Sequence, residues 1–480
     1  MLWEIIKYRL VNLTVHKRQG GRKVSLWKTC IILCIATVAW TTSAQAIPEQ
    51  QALDTLKAVR QKLALNLDPN EISVSGISSG GFMAHQFHVA HSRNLMGAGI
   101  IAGGPYNCAQ GSVVTALREC TAFGVQATYS LLSYTGPGPA PQGQEASPEA
   151  IKMAARSYQS TLEMDRAGKI DSPGNILRAR VILVHGQSDR LLPEGVMDAV
   201  QQYYKMFYKH YGVDDQASTR FRYLKMLPAE HSVPSDNFIN LKIGSQINAC
   251  KTFGSPYLNV CTKDDCANAC ASSSNTTCST QCVDAIDTAG EILRHIYNQN
   301  PLKPRNDAIK ISASAQSGTP STTERNCQKN GETDPRCQWL QERIFVFDQP
   351  TVFSNSRQTY LGDKGFLFVP KQCRDNHACK LHIAFHGCEQ GYDFPDSTKA
   401  VYSKRWSHFV ENVGFNEWAD ANDIVVFYPQ ARTVTYLAVN PKGCWDFWGY
   451  TTNALYPTQQ GRQISAVWEM VEALVPNLTQ

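Results

Sequence analysis

The pentapeptide Gly76-Ile77-Ser78-Ser79-Gly80 follows a β-type run, Ile72-Ser73-Val74-Ser75, and precedes a small-residue stretch of helical character from Phe82 to about His91. Gly-x-Ser-x-Gly between a strand and a helix is the setting of a nucleophilic serine. The turn is tight, the glycines let neighbouring backbone approach, and the hydroxyl stands at the sheet edge with a helix N-terminus behind it. Short Gly/Ser strings arise by chance, so the flanking elements carry the reading. Ser78 is the central candidate. Ser79 is its rival, and the Ser79 N–H is the better candidate for an oxyanion donor.

Such a serine needs a base and an acid that orients the base, in the chain order Ser, Asp/Glu, His. Arg180 to Val184 reads as a buried strand, followed by His185-Gly186-Gln187-Ser188-Asp189. Phe221 to Leu227 reads as another, followed by Pro228-Ala229-Glu230-His231. Asp189 and His231 both fall just past a strand's C-terminal end, where a doubly wound sheet places its site. A lone loop Asp is more often a turn or cap residue, and a lone loop His is more often solvated. Order and strand-end placement lift this pair above those readings. His185 competes as base but precedes the acid, within or at the end of its strand, and Asp198 and Asp236 are the rival acids.

The other oxyanion donor lies far downstream. Leu381-His382-Ile383-Ala384-Phe385-His386-Gly387-Cys388 is an apolar strand ending in His-Gly-x. A His-Gly segment after a strand supplies the second oxyanion N–H of an α/β-hydrolase, here that of Cys388. It ordinarily precedes the elbow, whereas here it follows the histidine. Circular permutation reconciles the order, and neighbouring chain ends make the rearrangement cheap. The rival arrangement, two independent α/β domains, would leave neither with a complete site.

The elements around these residues alternate between strand and helix, which implies an α/β class with a mostly parallel sheet. Helices are expected over 51–65, 148–166, 195–210, 402–420 and 459–475, and further strands at Gly97 to Ala102, Ile344 to Phe347, Gly365 to Val369 and Ile424 to Tyr428. The rhythm lapses from about 111 to 175, where a Pro/Gly-rich run at 135–150 marks an insertion of the lid or surface-excursion kind. Residues 299–340 read as a polar connector. The resulting division is a leader over 1–46 and one domain over 47–480. Within that domain, 47–298 holds elbow, acid and histidine, with a Cys-rich segment at 250–282, and 341–480 holds the oxyanion strand.

The chain has 480 residues, 43% hydrophobic and 18% charged, enough to build a sizeable core and too apolar for a disordered chain. Its net charge of +5 is concentrated in residues 1–46, where seven Lys/Arg face one acid, Glu4. Subtracting that surplus of six leaves −1 for the rest, which argues against a nucleic-acid partner. The same segment has an apolar run from Thr29 to Trp40 and then Ala44-Gln45-Ala46, the order of a secretory signal. The run is too short to span a bilayer, which needs about 20 residues. An exported protein is expected, with no membrane partner after signal removal.

Cys30 and Cys34 fall in the leader, so 14 of the 16 cysteines remain, an even number that reads as disulfides. Sequence neighbours suggest Cys108 with Cys120, Cys250 with Cys261, Cys327 with Cys337 and Cys373 with Cys379. Two C-x3-C pairs could staple a helical hairpin, Cys266 to Cys282 and Cys270 to Cys278. A zinc site is the alternative, disfavoured by oxidation.

SVSGISSGGFMAHQ, AGGPYNC, the Asp189 and His231 segments, LHIAFHGCEQ, FNEWADANDIVVFYPQ and NPKGCWDFWGY together resemble the extracellular short-chain polyhydroxyalkanoate depolymerases with a circularly permuted catalytic domain. The resemblance spans most of the chain after the leader and is absent from roughly 111–175. It implies an α/β-hydrolase fold, Ser78 as nucleophile, Asp189 and His231 completing the triad, and the Ser79 and Cys388 amides as oxyanion hole. It also implies a Cys388–Cys444 disulfide that brings Trp445 towards the cleft as a substrate-binding residue. The expected substrate is a polyester, poly(3-hydroxybutyrate) above all. Soluble short-chain or aryl esters are the second enzymatic reading, and a catalytically dead surface-binding protein is the third. No metal or organic cofactor is implied.

Overall fold

The computed structural model describes residues 46–478 apart from 123–132, 214–216, 237, 240–246, 272–276, 300, 306–310, 313–327, 330–331, 334, 395–405, 436–438 and 452–454. The leader and the expected Cys327 therefore lie outside the described residues, and Ile47–Gln480 forms one compact unit.

Its principal elements are α1 (Glu49–Lys62), β1 (Asn66–Ile77), α2 (Ser79–Ala90), β2 (Leu95–Ile101), α3 (Pro148–Arg166), β3 (Arg180–Gly186), α4 (Glu194–His210) and β4 (Phe221–Leu227). There follow α5 (Lys263–Cys270), α6 (Cys278–Ile286), α7 (Thr288–Ile296), β5 (Ile344–Asp348), β6 (Lys364–Phe368) and β7 (Ala378–Phe385). The last are α8 (Trp406–Asn412), α9 (Phe415–Ala421), β8 (Ile424–Tyr428) and α10 (Arg462–Leu474).

Eight strands make one sheet in the order β5-β6-β8-β7-β1-β2-β3-β4. The β5–β6 and β6–β8 pairs are antiparallel, and every other pair is parallel. The spatial order thus begins with the C-terminal block and continues into the N-terminal one. That is the arrangement of a permuted α/β-hydrolase, and β7 lies directly beside β1.

The strands are apolar runs because both faces are covered. Val181, Ile182, Leu183 and Val184 of β3 and Ile424 to Tyr428 of β8 are all buried. Gly97 and Gly99 of β2 leave room for α7: a Cβ on either would meet Ile296 or Ile292 at 2.7 Å. The alternate residue, Ile100, points the other way, towards the contact between Gly103 and Gly81 of α2. The two helices therefore cover opposite faces of the same strand.

The expected single helix over 402–420 is two, α8 and α9, parted at Gly414, whose φ of 101° only glycine adopts freely. Helix α7 went unanticipated between the Cys-rich segment and the connector. The insertion helix α3 runs as expected, capped by Ser147, whose hydroxyl accepts from Ala150 N at 3.2 Å, and it packs against α4.

Six disulfides join Cys108–Cys120, Cys250–Cys261, Cys266–Cys282, Cys270–Cys278, Cys373–Cys379 and Cys388–Cys444. The two C-x3-C pairs are thus crosslinks of α5 to α6. Cys337 is also disulfide-bonded. Such usage points to an oxidising compartment. Among the described residues no helix is long and apolar enough to cross a membrane.

Candidate active site

Strand β1 ends at Ile77 and the chain turns sharply into α2. Ser78 occupies the turn with φ 58° and ψ −125°, a mirror image of the β conformation that costs a non-glycine residue roughly 1–3 kcal/mol. Ser78 N donates to Ile101 O at 3.0 Å, and Ser78 O accepts from Phe82 N at 3.0 Å, so both flanks of the strained residue are tied down. The two glycines of the motif are needed for space. A Cβ on Gly76 would lie 2.2 Å from Gly80 O, and one on Gly80 would lie 2.3 Å from Phe385 O. The second contact presses the elbow onto the end of β7.

Because β1 and β7 pair in parallel, with Gly76 opposite Phe385, the residues that follow both strands emerge side by side. Ser78 Cβ lies 3.3 Å from the position a Cβ on Gly387 would take. At this junction the N–H groups of Ser79 and Cys388 have no acceptor among the described residues. Ser79 is the first residue of α2, where a helix leaves its N–H groups unsatisfied. Cys388 follows Gly387, whose own N–H and C=O are both engaged. Gly387 N donates to Gln390 Oε1 at 2.7 Å, and Gly387 O lies 2.7 Å from His386 Nδ1.

Strands β3 and β4 supply the acid and the histidine. Their end loops are laced together: Gln187 N donates to Leu227 O at 2.8 Å and Ser188 N to Ala229 O at 3.0 Å. Gly186 permits this, since a Cβ there would sit 2.2 Å from Ala229 O. Asp189 Oδ1 accepts from Leu191 N at 2.9 Å and Leu192 N at 2.8 Å, while Oδ2 lies 2.8 Å from His231 Nδ1. Burial alone would raise the Asp189 carboxyl pKa. The facing His231, His185 and the Leu192 N–H outweigh it and leave the pKa below the usual value. An ionised Asp189 only accepts, so Nδ1 of His231 carries the proton and Nε2 is left as the acceptor. That Nε2 is buried and has no partner among the described residues.

The rivals are engaged elsewhere. His185 Nε2 lies 2.8 Å from Leu192 O, Asp198 is buried beside Lys225, and Asp236 pairs with Arg305. Among the described residues one group has metal-like proximity, His377, Cys379 and Asp423, and the Cys379 sulfur is already bonded to Cys373.

Trp445 is fully buried. It packs edge-on against Phe385, with ring centroids 4.8 Å apart, and its backbone N donates to Ser79 Oγ at 3.2 Å. Its indole Nε1 is buried with no partner among the described residues. The half-buried Trp448 next to it is held by a turn wrapped on Asp446, whose carboxylate accepts from Gly449 N at 2.7 Å and Tyr450 N at 3.0 Å.

Two side chains of this region have no mark in the sequence pattern. Glu230, 3% exposed, ion-pairs with Arg190 and accepts from His231 N at 3.1 Å, coupling the acid loop to the histidine loop. Gln390 holds Gly387. The one available signal was a polar residue inside the tight turn that follows each strand.

No protein-family model matches the chain. It is 30% identical over 412 residues to a poly(3-hydroxybutyrate) depolymerase of Delftia acidovorans, covering 85% of this chain and spanning 60% of that relative's own length. It is 28% identical over 428 residues to a polyhydroxybutyrate depolymerase of Talaromyces funiculosus, covering 86% of this chain and 91% of the relative. Among solved structures it is similar to the PHB depolymerase from Penicillium funiculosum, with a TM-score of 0.56 and 25% identity over 86% of this chain and 98% of that one. A serine-to-alanine variant of PHB depolymerase complexed with an R3HB trimer matches equally, at TM-score 0.56. The chain is thus similar over most of its length to poly(3-hydroxybutyrate) depolymerases and shares their α/β-hydrolase fold.

Proposed function

We propose that this protein is an exported serine esterase that hydrolyses poly(3-hydroxyalkanoate) ester bonds, poly(3-hydroxybutyrate) in particular, through an acyl-enzyme. The observation that carries the reading is the strained Ser78 turn. It is pressed against the end of β7, where the unengaged N–H groups of Ser79 and Cys388 lie beside it.

In this reading His231 Nε2 takes the Ser78 hydroxyl proton as Oγ bonds to the ester carbonyl carbon. Asp189 keeps the imidazole in the required tautomer and offsets the charge it gains. The carbonyl oxygen becomes an oxyanion held by Ser79 N–H and Cys388 N–H, and losing one such donor typically costs ~10²–10³ in rate. When the C–O bond breaks, His231 returns the proton to the departing alkoxide, which leaves as a hydroxyl-ended chain. Water then attacks the acyl-enzyme with the same base and frees the acid. Trp445 Nε1, buried and unpartnered, is the candidate donor to a second substrate oxygen. Residues 1–46 serve as export signal and 47–480 as a single permuted domain.

The test is clearing of an amorphous poly(3-hydroxybutyrate) suspension by residues 47–480, beside Ser78→Ala and a soluble butyrate ester. Clearing that vanishes in the variant supports the reading. Serine-dependent ester turnover without clearing moves the substrate to small soluble esters. Turnover that survives Ser78→Ala overturns the site.

A further inference from the structure

The direction of the Cys388 N–H is set by the peptide unit it shares with Gly387, because that unit is planar and its N–H points opposite to its C=O. Two bonds hold the carbonyl of that unit, and a third holds the peptide before it. Gly387 O accepts from Gln390 N at 3.3 Å and takes His386 Nδ1 at 2.7 Å, while Gly387 N donates to Gln390 Oε1 at 2.7 Å. Ala431 N donates to His386 Nε2 at 3.1 Å, so the His386 proton must sit on Nδ1 and is donated to Gly387 O. The turn closes through Glu389 at φ 64°, held by its N–H to Lys442 O at 2.7 Å.

Gln390 also reaches across the site. It is 4% exposed, and its Nε2 donates to Pro256 O at 2.9 Å. Its amide orientation is unambiguous, since one partner is a donor and the other an acceptor. Pro256 belongs to the loop closed by Cys250–Cys261. That loop returns onto the histidine segment through Glu230 N to Cys250 O and Val233 N to Tyr257 O, both 2.9 Å. One carboxamide therefore bridges the oxyanion turn and the loop that backs His231.

We propose that Gln390 is a positioning residue: its carboxamide aims the Cys388 N–H and fixes that donor relative to His231 by clamping Gly387 N–H to Pro256 O. This rests on the esterase reading above. Gln390 touches no reacting atom and acts on the oxyanion, which exists in the transition state, so its loss falls on kcat rather than on KM.

The experiment uses residues 47–480 and p-nitrophenyl butyrate. Gln390→Leu, which removes both bonds, lowers kcat on the order of 10–100-fold with KM within about twofold, somewhat less than deleting a donor outright. Gln390→Glu supplies the signature. A protonated carboxyl can accept from Gly387 N–H and donate to Pro256 O, whereas a carboxylate faces that carbonyl with a lone pair. The ratio of Gln390→Glu to wild-type kcat therefore rises as pH falls from 8 to 5.5, and the Gln390→Leu ratio stays flat. Wild-type kcat in Gln390→Leu, a loss shared equally by KM, or a flat Gln390→Glu ratio would each overturn the proposal. If Gln390→Leu fails to fold, the Gln390→Glu ratio still decides. Failure of the esterase reading looks different: wild type and Ser78→Ala would then turn over the ester alike.

Discussion

Replacing Ser78 by glycine removes the proposed nucleophile and should at the same time make the fold more stable than replacing it by alanine. At φ 58° and ψ −125° the residue occupies backbone territory that glycine visits freely and that any side chain with a Cβ pays for. Relief of that strain is worth about 1–3 kcal/mol. Against it stands the greater chain entropy of unfolded glycine, about 0.4–1 kcal/mol. At the midpoints of the two ranges Ser78→Gly leads Ser78→Ala by about 1.3 kcal/mol, roughly 1–1.5 °C in Tm for a domain of this size. The sign is the sharper observable. At exposed Ala58 inside α1 the same alanine-to-glycine step should cost about 1 kcal/mol. Calorimetric scans of both variants and of Ala58→Gly, at one scan rate, give the comparison. If Ser78→Gly melts at or below Ser78→Ala, the backbone is not strained there and the elbow argument fails.

Gly80→Ala should reduce kcat by ~10² or more, because its Cβ falls 2.3 Å from Phe385 O and the elbow must shift about an ångström to admit it. Steady-state kinetics on a soluble butyrate ester measures this. Asp189→Asn should lower kcat by ~10⁴ in the same assay, since an amide NH2 facing His231 favours the wrong tautomer. His91 is buried against Trp468, and desolvation brings its pKa down from 6.5 to about 3. A lowered histidine contributes stability that is present above 6.5 and is lost as pH falls towards 3, because the unfolded chain binds the proton first. His91→Phe should therefore gain about 2 kcal/mol relative to wild type on going from pH 7 to pH 5. Guanidinium unfolding midpoints at the two pH values give the difference, and parallel shifts would refute it.

The strands and most helices were legible because burial on both faces writes long apolar runs such as Val181 to Val184 and Ile424 to Tyr428. The polar start of β1, residues 66–71, carries no such pattern, and only its pairing with β7 makes it strand. Helix α7 was hidden between cysteines and polar connector, although Ile292 and Ile296 fill the space left by Gly97 and Gly99. At the candidate site, Ser78, Asp189 and His231 were singled out through chain order at strand ends; the structure sets Asp189 2.8 Å from His231, and His231 Nε2 has no hydrogen-bond partner among the described residues. Glu230 and Gln390 were not, because their bonds tie a turn residue to its own turn and to a second loop, Arg190 for Glu230 and Pro256 O for Gln390, which no periodicity marks. Trp445 stood out as an aromatic near a cysteine, and nothing in the sequence distinguished a buried position from an open one.

The permuted strand order also sets when the molecule can first act. The elbow is translated early, but the strand it leans on and the Cys388 N–H come roughly 300 residues later, on the order of 15–60 s at ordinary synthesis rates. During that interval β1 has an open apolar edge, a point where nascent chains can misassociate. A fragment ending between His231 and Cys388 holds the proposed serine, acid and histidine yet lacks one of the two oxyanion donors, so in this reading a product terminated there is at least ~10²-fold less active.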